Sequence, residues 1–260
     1  MNRTLRNLRP TLRAAALLVL AAAGPVVAAA PPDDVIPVVA WDSVLTRYVA
    51  GARVDYGALA RDRGALDRFL AAIETAAPER FPRAAQLAFW VNAYNARVIE
   101  GVLRRPGLRS VLDVGRILRV PTLRFFRESR LTAGRMLTLD DIEHRILRAE
   151  FREPRVHFVL NCASTSCPSL PPRPLTAATL DSTLEAAARA FLGDRTKNRV
   201  GADGRLELSH IFKWFGDDFV AAAGSVEAYV ARHGLTPTPA AASRGPRFLP
   251  YDWSLNGSWR

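Results

Sequence analysis

Between Arg83 and Leu103 the sequence sets Leu87, Val91, Tyr94, Val98 and Val102 at helical spacing, and the pattern stops before Pro106-Gly107. An apolar stripe of that length has to be covered by other elements, so the chain is expected to build its core around this helix. Asn92 and Asn95 lie three residues apart on it and can face the same way. Amides beside a buried face must find partners, which predicts a polar cluster in the interior that holds a neighbouring loop in place.

Shorter elements follow from the same reading. Residues 41–49 and 66–73 carry helical periodicity and read as peripheral helices. Thr138 stands as a cap before a helix of about ten residues with Ile142, Ile146 and Leu147 inward, and its first turn is acidic, as the helix dipole prefers. Glu143 and His144 are neighbours on that helix, about 100° apart, so one of them at most is expected to face a given pocket. Val156-His157-Phe158-Val159-Leu160, preceded by Pro154, reads as a strand. A helix is expected over 179–192, and the runs either side of Ala202-Asp203-Gly204 read as a hairpin. Further helices are expected from Ser209 and over 226–232, and an extended segment over 248–253. The expected fold is a single α+β domain over 39–256, mostly helical, around a small β-sheet that contains the Val156 strand and the hairpin.

The beginning of the chain reads as a leader. Arg3, Arg6, Arg9 and Arg13 precede an apolar run broken by Gly24-Pro25, and Ala28-Ala29-Ala30 offers a cleavage site, so residues 1–30 are expected to be a secretion signal and 31–38 a Pro- and Asp-rich linker. The run is about ten residues where roughly twenty are needed to cross a bilayer, so no stable span is expected after cleavage, and a periplasmic or secreted location follows. The formal charge is +11, four of it in those leader arginines, which leaves +7 spread along the remainder. Apart from Lys197 and Lys213 the basic residues are arginines, neither clustered nor interleaved with aromatics, which argues against nucleic acid and for a solvated basic surface.

Chemistry concentrates after the Val156 segment. Both cysteines, Cys162 and Cys167, and one of the four histidines, His157, fall between residues 157 and 167, in a loop of small polar residues stiffened by Pro168, Pro171, Pro172 and Pro174. A free thiol titrates near about 8.5 and needs an imidazole or a helix terminus beside it to ionise at neutral pH. One reading therefore makes Cys162 or Cys167 a nucleophile, His144 or His157 its base, and Glu143, Asn92 or Asn95 the group that orients the ring. The other reading is a structural Cys162–Cys167 disulfide, since an oxidising compartment and an even cysteine count favour pairing. The C-x4-C spacing lacks the second close pair that a metal would use, so neither a metal nor a cofactor is expected. His210 and His233 carry no arrangement beyond capping or solvent contact.

Six stretches occur in an order that resembles one family: Val54-Asp55-Tyr56; Phe89-Trp90-Val91-Asn92-Ala93-Tyr94-Asn95-Ala96; Leu139-Asp140-Asp141-Ile142-Glu143-His144; His157-Phe158-Val159-Leu160-Asn161-Cys162-Ala163-Ser164 through Cys167-Pro168; Ile211-Phe212-Lys213-Trp214-Phe215 to Asp218-Phe219; and Tyr251-Asp252-Trp253-Ser254-Leu255-Asn256. The chain resembles the domain-of-unknown-function 547 family over residues 40–256. That resemblance implies a distant likeness to papain-like or transglutaminase-like cysteine hydrolases, with Cys162, His157, His144 and Glu143 in its motifs. Cys162 is preferred because plant relatives often carry Ser where Cys167 stands. In papain-like enzymes the cysteine opens the central helix, whereas here that helix carries Asn92 and Asn95, so either the order of elements is rearranged or the scaffold has lost the chemistry. The leading expectation is a cysteine hydrolase or acyltransferase acting on amide or peptide bonds in the cell envelope, its substrate or protein partner unknown. The alternative is a non-catalytic envelope binding or scaffold domain in which Cys162–Cys167 is a disulfide.

Overall fold

The computed structural model describes residues 38–115 and 123–260. The expected leader and linker lie outside the described residues, except that Val38 already opens the first helix. In chain order that helix is α1 (Val38–Tyr48), then come β1 (Val49–Ala50), β2 (Arg53–Asp55), α2 (Tyr56–Arg61), α3 (Gly64–Thr75) and α4 (Arg83–Leu103). The hairpin of β3 (Arg130–Thr132) and β4 (Arg135–Leu137) leads into a π-helix, Asp141–Phe151, and a 3-10 helix, Pro154–Phe158. Past the cysteine loop follow α5 (Leu180–Gly193), β5 (Arg199–Val200), β6 (Leu206–Leu208), α6 (Ile211–Trp214), α7 (Gly216–Ala223), α8 (Val226–Ala231), β7 (Arg247–Phe248) and β8 (Gly257–Ser258). This is the expected α+β composition, helices around small sheets, and the expected hairpin is present with β5 and β6 antiparallel.

Helix α4 is the axis of the larger core. Its residues from Leu87 to Leu103 are buried without interruption, charges included. Arg97 survives there because its guanidinium is shared among Glu100 at 2.9 Å, Glu74 at 3.2 Å and Thr132 at 3.2 Å, so the buried charge is paired and its donors are used. Against this helix packs α3, and α1 joins the same core through α3, where Trp41 stacks on Phe69 at 5.4 Å. A second core gathers Phe158, Phe191, Phe212, Phe219 and Tyr229 from the 3-10 helix, α5, α6, α7 and α8.

One expectation is overturned. Val156–Leu160 is no strand and joins no sheet: residues 154–158 form a 3-10 helix, with Pro154 supplying its fixed φ in the first turn and the Glu153 carboxylate accepting from the Arg155 N–H at 3.1 Å. The β-branched and aromatic run suggested a strand, but the segment lies between two cores and serves both. A repeat near three directs Val156 and Val159 into the larger core and Phe158 into the smaller, which the alternation of a strand would not allow. The expected helix after Thr138 forms with a reciprocal cap: the Thr138 hydroxyl accepts from the Asp141 N–H at 2.9 Å, and the Asp141 carboxylate accepts from the Thr138 N–H at 3.0 Å. Its backbone is π-helical throughout, a wider turn than the spacing argument assumed.

The far end of the chain returns to its start. β8 pairs in parallel with β2, Val54 opposite Gly257, and the Tyr56 hydroxyl donates to the Asn256 side chain at 2.8 Å. A Cβ at Gly257 would stand 2.1 Å from the Val54 carbonyl oxygen, so only glycine permits the pairing. Gly257→Ala is expected to lower stability by about 1–3 kcal/mol, read as a shifted denaturant midpoint with an unchanged slope.

Candidate functional site

The cysteine loop is held from three sides before any of its chemistry is considered. From α4, the Asn95 amide donates to the Val159 carbonyl and accepts from the Asn161 N–H, both at 2.9 Å. Asn92, one turn earlier, grips the proline-stiffened exit of the loop in the same manner, donating to the Leu175 carbonyl at 2.8 Å and accepting from its N–H at 3.1 Å. Within the loop Asn161 donates to the Pro168 carbonyl at 2.7 Å and accepts from the Ala163 N–H at 2.9 Å, which holds Ala163 at φ 61. That left-handed conformation costs a non-glycine residue about 1–2 kcal/mol and is kept because every neighbouring polar group is paired. From the other side runs the segment before β8: Thr165 N–H donates to the Ser254 carbonyl at 2.8 Å, and Asn256 donates to Asn161 at 3.1 Å. The two asparagines predicted as a polar cluster are therefore the fastenings of the loop and do not line its cavity.

Cys162 and Cys167 form a disulfide, their Cα atoms 6.1 Å apart. The two sulfurs differ in surroundings. Cys167 is buried, and its sulfur accepts from the Cys162 N–H at 2.8 Å and from the Tyr251 hydroxyl at 3.2 Å. Cys162 is only half-buried, and its sulfur meets the Ser164 hydroxyl at 3.0 Å and the Tyr251 hydroxyl at 3.3 Å. Among the described residues no histidine hydrogen-bonds either sulfur.

A cavity of about 370 Å³ opens beside this bridge, and Glu143, His144, His157, Cys162 and Cys167 all line it. Glu143 and His144 thus face the same cavity, contrary to the expectation from an α-helical 100° step. The Glu143 carboxylate hydrogen-bonds no imidazole among the described residues: it takes a hydrogen bond from the Tyr94 hydroxyl at 3.0 Å, and burial pushes its pKa up to about 7 against the opposing pull of Tyr94 and Arg148. His144, at the rim, shares its Nδ1 with the Arg148 guanidinium at 3.0 Å, so Nδ1 is the acceptor, and burial followed by that cation lowers its pKa.

His157 is oriented by a residue outside the sequence-based set. Its Nε2 lies 2.7 Å from Asp218, and Arg148 grips the same carboxylate with Nε at 2.6 Å and Nη2 at 3.0 Å. The carboxylate can only accept, so Nε2 carries the proton, and Nδ1 has no hydrogen-bond partner among the described residues. Burial lowers the His157 pKa despite the Asp218 charge, and the ring stacks 4.0 Å from Phe215. Burial alone would raise the Asp218 carboxyl, but the bonds from His157 and Arg148 hold it well below the usual range. Trp214, Tyr251 and Trp253 form the aromatic wall, with ring centres 4.7–5.6 Å apart and Trp214 exposed to solvent. Asp218, Trp214, Tyr251 and Tyr94 all fall within the six sequence stretches, which was the signal available for them. Arg148 had only its helical spacing from His144.

Among the described residues no helix is long and apolar enough to cross a membrane, and no cluster of three or more His, Cys, Asp or Glu side chains stands ready to hold a metal.

The Glu143 carboxyl ties stability to pH. Between its ordinary 4.5 and about 7 the folded protein keeps a proton that the unfolded chain has released, so stability falls as pH rises through that window. Glu143→Gln keeps an acceptor for Tyr94 and should match the parent near pH 4. At pH 8 it should exceed the parent by about 1–3 kcal/mol in chemical denaturation.

Residues 78–192 match the family model described as protein of unknown function, DUF547. The matched stretch takes in α4, the π-helix, the cysteine loop and α5, and ends before Asp218 and Tyr251. Comparison with curated proteins and with solved structures gave no match.

Proposed function

We propose that this chain, with its DUF547 region, is a thiol-dependent hydrolase or acyltransferase acting on an amide or peptide bond, with Cys162 as nucleophile once its bridge to Cys167 is open. The observation that carries the reading is His157: its Nε2–H is committed to Asp218 at 2.7 Å, its Nδ1 has no hydrogen-bond partner among the described residues, and it lines the same cavity as the half-buried Cys162. An imidazole with one nitrogen fixed by a carboxylate and the other open is the arrangement that removes a thiol proton and later returns it to a leaving amine. In this reaction the Cys162 thiolate attacks the carbonyl carbon, the amine departs with the proton held by His157, and water or an acceptor amine releases the acyl group. Asp218 keeps the ring in the required tautomer and stabilises the imidazolium that forms. Glu143 stays protonated up to about pH 7 and gives the cavity an uncharged acid beside the reacting groups.

The arginines and apolar run of residues 1–30 support action in the periplasm or outside the cell, on a component of the envelope. One observation favours the alternative of a non-catalytic binding domain: in the closed-bridge state the Cys162 sulfur meets the Ser164 and Tyr251 hydroxyls and hydrogen-bonds no imidazole among the described residues.

Alkylation of the reduced protein by a neutral reagent across pH separates the two. The enzyme reading expects a Cys162 thiol that titrates below about 7 and returns toward about 8.5 in His157→Gln, with Asp218→Asn intermediate. Titration near 8.5 in all three proteins would leave the binding reading in its place. Under that reading Cys162→Ala and Cys167→Ala each lose about 2 kcal/mol of stability, the contribution expected of so short a covalent loop.

A further inference from the structure

We propose that the Cys162–Cys167 bridge is a thiol–disulfide exchange site, opened by attack of an external dithiol on the Cys162 sulfur with Cys167 as the leaving group. The inference concerns the bridge itself and goes beyond the hydrolase reading, since it holds whether or not the freed Cys162 then attacks a carbonyl.

The asymmetry of the two sulfurs sets the direction. An incoming thiolate reaches the bridge from the cavity, where Cys162 is half-buried, while Cys167 is only 3% exposed. Both sulfurs have hydroxyl neighbours, Cys162 those of Ser164 at 3.0 Å and Tyr251 at 3.3 Å, but the departing one alone also has a fixed backbone donor: Cys167 accepts from the Cys162 N–H at 2.8 Å as well as from the Tyr251 O–H at 3.2 Å. Donors aimed at a sulfur stabilise its thiolate, and a better leaving thiolate departs faster. Opening the bridge does not release the loop, because Asn95, Asn161, Asn256 and the Thr165–Ser254 backbone bond hold it independently of the S–S link. The sulfurs therefore remain within reach of each other, and the exchange is reversible.

The balance is that of a two-electron transfer. The donor's first thiolate bonds to Cys162 Sγ as the S–S bond breaks, and Cys167 leaves as a thiolate. The donor's second thiolate then attacks its own sulfur in that mixed disulfide and frees Cys162. The donor ends as a disulfide, the protein as two thiols, and the two protons given up by the donor end on them. Glu143, in the same cavity with a carboxyl near neutrality, is placed to carry one.

The test uses the folded chain without denaturant. Glutathione disulfide is added to Cys167→Ser and to Cys162→Ser, and the mixed disulfide is followed by intact mass. Cys162 in the first variant is expected to be modified at least about tenfold faster than Cys167 in the second. In the parent, dithiothreitol should open the bridge under native conditions, and Tyr251→Phe, which removes one donor to the leaving sulfur, should slow opening several-fold while near-ultraviolet dichroism stays native. Equal modification of the two single-cysteine variants, or a bridge that dithiothreitol opens only after unfolding, would overturn the proposal. If a cysteine variant fails to fold, the parent and Tyr251→Phe rates decide alone. None of these readouts uses an amide substrate or the pH of alkylation, so a failed exchange site and a failed nucleophile are told apart.

Discussion

A single primary amide, that of Asn95, joins the buried helix to the reactive loop. Its two hydrogen bonds to residues 159 and 161 fix the backbone immediately before Cys162, and they do so from within α4, which is buried along most of its length. An amide that both donates and accepts fixes position and orientation together, which a packed apolar side chain would not. The rest of the site is built outward from that joint. Asn161 shapes the loop, Asn256 ties it to the returning chain, and Tyr56 ties Asn256 to the start of the fold. This is a fully satisfied buried network, the form in which buried polarity specifies one arrangement instead of weakening the core.

The electrostatics of the cavity follow from which charges are paired. Arg148 is spent on Asp218 and lies over Phe215, so its charge neutralises a carboxylate already engaged with His157. Glu143 receives no such partner, only the neutral hydroxyl of Tyr94, and burial therefore dominates its titration. Two carboxyls in one neighbourhood are thereby driven apart, one ionised at any ordinary pH and one poised near neutrality. A separation of that kind marks an environment where acid and base roles can be assigned to different groups.

Much of this was legible in the sequence, for reasons that differ by element. Helix α4 was readable to the residue because its apolar positions keep one period over its whole length. The Thr138 cap and the turn at Asp203-Gly204 were readable because their signals are local. The segment Val156–Leu160 misled because composition reports β-preference but not the number of cores a segment must reach. The pairing of His157 with Asp218 crosses 61 residues, and that of Tyr251 with Cys167 crosses 84, so no spacing rule reaches either. Glu143 and His144 were expected on different sides because a step of about 100° was taken to exceed one pocket, whereas a single cavity spans both. The family stretches did contain the missing residues, yet a motif marks positions without saying which of them touch.

The returning strand also separates local from long-range closure. Cys162 and Cys167 are 5 residues apart and can meet as soon as their loop exists, whereas Tyr56 and Asn256 must close a loop of 200 residues. Closure entropy grows with that separation, so the link across 5 residues constrains far less of the chain than the contact across 200. The bridge therefore fastens only a local loop, and the enclosure of its buried sulfur by Tyr251 depends on the long-range return of the chain.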